Sequence, residues 1–326
     1  MEQEAVVGID RYTEIKRKLH EYAFQDDDIR AVIAIGSSAR KAMLADEYSD
    51  LDLLIITKKP ERWFSGEYPE LLGKVRISFI EPTLGGGMER RSIYDEDKDV
   101  DMIILTPDQF GKALKDGVAG WVMNRGYRIL HDPDRYAELI SQHVKAVVSC
   151  PEITEEEFVN LVNDFYFHNI WACKKLLRGE LWSAKMCIDA YLKNHLLKMI
   201  EQYQAASSGA DVWHDGRFLD RWAAPDVREQ LKDCFAHYDI ADCRDALKAT
   251  HVLFSRLAVF VADRKGFVYP SGAEECAADY IGRYCGGWKE TSYDPKKIGE
   301  MLDYYEKKGC EVRTLSEYQE ILAADV

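Results

Sequence analysis

The spacing of apolar positions changes character near residue 150. Ahead of that point, short apolar runs alternate with amphipathic stretches. Residues 9–23 carry apolar side chains at helical spacing, and Asp26, Asp27 and Asp28 stop the pattern. Residues 31–35 (Ala-Val-Ile-Ala-Ile) are apolar without a break and end at Gly36, as a buried strand does. Ser37 and Ser38 are placed to cap a following helix over roughly 39–45. The Leu- and Ile-rich stretch 51–57 predicts a second strand. Residues 75–80 predict a third, ended by Pro82 and loosened by Gly85, Gly86 and Gly87. Residues 91–94 and 100–106 predict a hairpin turned at the polar stretch 95–99; Pro107 opens a helix, and 126–130 adds an edge strand.

Beyond Pro151 the pattern is helical throughout, over 155–177, 181–203, 225–237, 242–265 and 295–308. The first of these is apolar or aromatic on most faces (Phe158, Leu161, Phe165, Phe167, Ile170, Trp171), as a helix packed between others is. Trp171, Trp182, Trp213 and Trp222 read as packing residues. The expected fold is α+β. A domain over 1–150, a mixed sheet flanked by helices, precedes an all-α bundle over 151–326 that includes a helical tail from Asp294.

Composition narrows the picture only a little. The N-terminus opens Met1-Glu2-Gln3-Glu4, and no apolar run approaches membrane-spanning length, so a soluble cytoplasmic protein without membrane contact is expected. Eight cysteines without a CxxC pair and eight histidines without HExxH argue against a disulfide framework or structural zinc. A formal charge of −14 argues against a nucleic-acid groove and suits a cationic substrate.

The chemistry concentrates in Gly36-Ser37-Ser38 and Ser49-Asp50-Leu51-Asp52-Leu53-Leu54-Ile55-Ile56. Alternate strand residues share a face, so Asp50 and Asp52 point together at the head of an apolar strand. Two such carboxylates repel one another, and a divalent cation removes that cost; oxygen ligands of this kind suit Mg²⁺. Asp101 opens a second acid-then-apolar run, with Asp99 in the same phase as the alternative third ligand; Asp101 is preferred because strand residues flank it on both sides. Three carboxylates suit two ions placed for phosphoryl transfer. Gly36, Ser37 and Arg40 are candidates for holding phosphate through backbone N–H groups, a hydroxyl and a charge. Asp164 and Asp189, on predicted helices, are alternative general bases or ammonium ligands. Asp164 has His168 one turn on, and Asp189 has Lys185 and Lys193 at i−4 and i+4. Arg217 and Arg221 follow Gly216 in a basic turn that could reach a triphosphate.

The order Gly-Ser, D-x-D, later strand Asp resembles the nucleotidyltransferase superfamily of polymerase-beta-like fold. Within it, the chain resembles the aminoglycoside 6-adenylyltransferases, also called streptomycin adenylyltransferases. The likeness runs over roughly residues 10–285, through Glu70-Leu71-Leu72-Gly73-Lys74, the hairpin into Val100-Asp101, Met186-Cys187-Ile188-Asp189-Ala190-Tyr191-Leu192 and Tyr269-Pro270. It implies an enzyme that uses two Mg²⁺ ions to transfer AMP from ATP to an aminoglycoside hydroxyl, with the helical domain holding the acceptor. The family commonly has Arg directly after Gly-Ser; here Ser38 and Ala39 intervene before Arg40. Transfer to another small molecule or a protein side chain, or a silent nucleotide-binding relative, are the alternatives.

Overall fold

A computed structural model describes residues 10–83, 86–144, 147, 150–285 and 307. The chain divides into two compact units, Met1–Val148 and Ser149–Val326. The helix expected over 295–308 falls almost wholly outside the described residues.

The first unit is built on a six-stranded sheet. Its strands are β1 (Ile29–Ala34), β2 (Leu51–Thr57), β3 (Val75–Pro82), β4 (Met88–Tyr94), β5 (Lys98–Leu105) and β6 (Arg128–His131), in spatial order β3-β4-β5-β2-β1-β6. Every neighbouring pair is antiparallel except β2 and β5, which run parallel with Asp52 opposite Asp101. The mixed sheet and the helices around it make the class α+β. The unbroken apolar runs of β1 and β2 have a direct cause, since both faces are covered. Val32, Ala34, Leu51, Leu53 and Ile55 pack with Ile15 and Leu19 of helix Thr13–Gln25 and with Trp63 and Tyr68. Ala31, Ile33 and Ile56 pack on the opposite face with Phe110 and Leu114 of helix Pro107–Lys115 and with Met123 and Ile140. That helix starts sharply because Thr106 and Gln109 form a reciprocal capping box and Pro107 occupies its first turn.

The helix expected over 39–45 does not form. Gly36–Ser38 makes one 3₁₀ turn, after which Met43 takes a left-handed conformation and Arg40 Nε donates to the Met43 carbonyl. Residues 41, 42, 44 and 45 are exposed, so a helix here would have no apolar face to bury.

The second unit is helical among its described residues. Glu155–Leu177 begins with a Thr154–Glu157 capping box, three acids in its first turn and lysines in its last, all matched to the helix dipole. It packs with Ile240–Lys265 through Phe165 stacked on Phe254, ring centroids 3.6 Å apart. The segment expected as one helix over 181–203 is Leu181–Met186, a π-helical turn Cys187–Tyr191, and Leu192–Ser208. The helix expected over 225–237 ends earlier, at Leu231, and passes into a 3₁₀ turn. Trp213 and Trp222 are buried as expected, whereas Trp182 is 69% exposed and packs little. No helix among the described residues is long and apolar enough to cross a membrane.

Candidate active site

Asp50 immediately precedes β2, Asp52 is the second residue of that strand, and Asp101 lies in the middle of β5. The parallel register sets Asp52 directly beside Asp101. One carboxylate oxygen from each of Asp50, Asp52 and Asp101 lies within 4.8 Å of the other two, and Asp99 is not part of this group. Asp101 is buried, and its Oδ1 has no hydrogen-bond partner among the described residues. Burial pushes the Asp101 carboxyl up to about 7, against the pull of the Arg91 guanidinium, and neighbouring carboxylates add to the rise. A buried carboxylate with an orphaned oxygen, grouped with two more acids, fits a hard divalent cation, which takes oxygen ligands and cancels the repulsion.

Long-range contacts hold the loop that delivers Asp50. Tyr12 Oη donates to the Ser49 carbonyl at 2.9 Å. Arg11 donates to the carbonyls of Glu47 and Glu96, both at 2.6 Å, and so ties the loop before β2 to the turn before β5. On the other side of the loop, Ser37 is buried and its hydroxyl donates to the Asp50 carbonyl at 3.3 Å. Gly36 has φ +62°, and a Cβ built there would run into the Asp52 carboxylate. The site thus needs glycine twice over, for the backbone conformation and for the space. Arg40 is buried, with its Nε on the Met43 carbonyl.

Two charged residues that the sequence reading passed over complete the neighbourhood. Arg91 on β4 is the register partner of Asp101. Its Nε lies 2.8 Å from Glu81, 3.2 Å from Glu89 and 3.6 Å from Asp101. Glu89 is 8% exposed; burial raises its carboxyl above the ordinary value, with Arg91 opposing. The available signal was the alternation Glu89, Arg91, Ile93, which puts the first two on one strand face.

The remaining candidates lie in the second unit. The Asp164 carboxylate accepts from His168 Nδ1 at 2.6 Å, and from Tyr191 Oη and His195 Nε2 at 3.0 Å. Burial works to raise its carboxyl, but the donors His195, Tyr191 and His168 outweigh this and hold it below the ordinary carboxylate range. Asp189 pairs with Lys185, whose ammonium also reaches the Ala236 carbonyl. Lys193, expected beside Asp189, instead donates to Ile188 O and Thr250 Oγ1. The π turn accounts for this, because one extra residue per turn rotates the i+4 position away. Arg217 and Arg221 are exposed, with Arg221 over the Phe218 ring.

A family model described as streptomycin adenylyltransferase matches residues 10–284. The aminoglycoside 6-adenylyltransferase of Bacillus subtilis (strain 168) is 20% identical over 279 residues, covering 81% of this chain and 95% of the relative. The crystal structure of an aminoglycoside 6-adenyltransferase from Bacillus subtilis superposes with a TM-score of 0.41 at 17% identity, covering 83% of this chain and 98% of that one. A nucleotidyltransferase-like protein from Exiguobacterium sibiricum 255-15 gives a TM-score of 0.35 at 13% identity, with coverages of 93% and 94%. The family match takes in the glycine turn, the D-x-D strand and the strand acid together, and the chain belongs to the streptomycin adenylyltransferase family of nucleotidyltransferases.

Proposed function

We propose that the chain transfers AMP from ATP to a hydroxyl of a streptomycin-like aminoglycoside, releasing pyrophosphate, with Mg²⁺ held by Asp50, Asp52 and Asp101. The observation that carries the reading is the parallel register of Asp52 and Asp101, which groups the three acids, together with the unpartnered oxygen of the buried Asp101. Bound there, the ions would neutralise the triphosphate and make the acceptor hydroxyl more acidic. The acceptor oxygen bonds to the α-phosphorus, the bond from that phosphorus to the bridging oxygen breaks, and pyrophosphate leaves. The Gly36–Ser38 turn, held by Ser37 against the Asp50 backbone, keeps the acids in place. Acceptor recognition belongs to the helical unit, and the overall negative charge favours a polycation. The reaction draws on cytoplasmic ATP.

We assign Glu89 as the group that takes the hydroxyl proton. It is buried on the strand next to that of Asp101 and shares the Arg91 guanidinium with that acid, while Asp164 and Asp189 lie in the second unit, the first accepting from three donors and the second from Lys185. Burial raises its carboxyl, so the working carboxylate form is lost, and the rate falls, as pH drops through that raised value. Glu89→Gln lowers turnover by about 10²–10³-fold with KM for ATP nearly unchanged, and the acid limb of the wild-type pH–rate profile loses the part that Glu89 contributes beside that of Asp101. A variant that turns over at the wild-type rate rules Glu89 out.

The reaction itself is tested by pyrophosphate release from ATP and Mg²⁺ across streptomycin and other aminoglycosides. Release that depends on streptomycin supports both chemistry and substrate. No release with any aminoglycoside, from protein that binds Mg-ATP, removes the antibiotic from the reading and turns the search to other hydroxyl acceptors.

A further inference from the structure

The second unit contains a cleft of about 740 Å³ that the transfer chemistry above does not use. Its walls come from helix Leu192–Ser208, Gly216, helix Leu219–Trp222, helix Pro225–Leu231 and Phe235. The volume falls within the range of about 300–1,000 Å³ usual for small-molecule sites. Leu196 and Ile200 are fully buried beneath it, and Leu197, Leu219 and Leu231 extend the apolar lining.

The polar lining is unbalanced. Lys193 places its ammonium 3.0 Å from the Ile188 carbonyl, 2.8 Å from Thr250 Oγ1 and 5.1 Å from the centre of the Phe235 ring, all neutral partners. Burial lowers its pKa to about 8. Arg228 donates to the Asp220 carbonyl at 3.0 Å, and its buried Nε has no partner among the described residues. Neither cation has a carboxylate oxygen within 4.0 Å among the described residues. Of the other charges on the wall, Lys232 and Glu229 pair with each other at 2.6 Å, and Asp220 is exposed. A partly dehydrated cation whose hydrogen-bond partners are all neutral, with the Asp189 charge acting on it only from beyond ion-pair distance, is costly, and an incoming anion supplies what it lacks.

We propose that this cleft binds a small amphipathic carboxylate, its apolar body on Leu196, Leu197, Ile200 and Leu231 and its carboxylate on Lys193 and Arg228. An uncharged apolar molecule would fill the floor and leave both cations as they are. A polyanion such as a nucleotide would carry more charge than Lys193 and Arg228 can meet, and would set the rest against the apolar floor and beside Asp220 and Glu229. One negative charge on a hydrophobic body matches both halves.

The test uses the full chain and cis-parinaric acid, a carboxylate that fluoresces on entering an apolar site. One saturable site per chain is expected, emptied by decanoate and at least about tenfold less readily by decanol, the worth of one charge-assisted contact. Lys193→Met weakens parinarate by about tenfold or more, and Leu197→Trp, which fills the cleft, abolishes saturable binding. Arg228→Gln weakens it likewise and serves in place of Lys193→Met should that variant fail to fold. Equal displacement by decanol, wild-type affinity in the folded charge variants, or saturable binding that survives Leu197→Trp each overturns the proposal. So does the absence of saturable binding in the wild type.

Discussion

Asp52→Asn abolishes nucleotidyl transfer while the protein stays folded. The three carboxylates share one small volume, and the amide removes a full negative charge from its centre. Several kcal/mol of charge stabilisation are lost, which at about 1.4 kcal/mol per tenfold gives a drop of roughly 10³-fold or more in kcat. Asp52 is one of the charges that raise Asp101, and its removal relaxes that repulsion. Thermal melts with and without Mg²⁺ separate the two effects. Wild type gains stability with Mg²⁺ by mass action, and the variant gains none. Activity within tenfold of wild type, or an undiminished Mg²⁺ shift, would remove Asp52 from the metal site.

Gly36→Ala has the second-largest effect, although Gly36 contributes no side chain to the chemistry. At φ +62° an L-residue costs about 1–2 kcal/mol, and the new methyl group collides with the Asp52 carboxylate. The carboxylate must swing aside, and a displacement near 1 Å costs about 10²-fold in rate. A lower melting temperature, weaker Mg²⁺ binding and a fall in kcat of that size are expected together. If the variant loses stability but keeps its rate, Gly36 serves only the turn.

The residues visible in the sequence are those whose roles are local. Asp50 and Asp52 announce themselves because a period of two and an apolar strand suffice to set them side by side. Asp101 was readable as a strand acid, but its adjacency to Asp52 is a pairing between distant segments, and only the sheet order supplies it. Glu89 was missed because β4 begins at Met88, three residues before the expected start, which left Glu89 in the glycine-rich loop. The π turn escaped because Leu181 to Ser208 keeps helical spacing on either side, and a single extra residue leaves no mark in composition. The failed helix over 39–45 shows the opposite error. Good local propensity counts for nothing where tertiary structure offers no surface to bury it against.

The lone parallel pairing, β2 with β5, also bears on the order in which the molecule folds. Its two strands are joined through the entire β3–β4 hairpin, so closing the pair fixes a long segment before its contacts reward the lost entropy. Strand pairings of this kind form late. The carboxylates therefore come together only after most of the sheet exists, and their mutual repulsion is absent from the early chain. A divalent ion bound there would have little to grip until that moment, and it would act on the rate of escape from the native state and hardly on the rate of arrival.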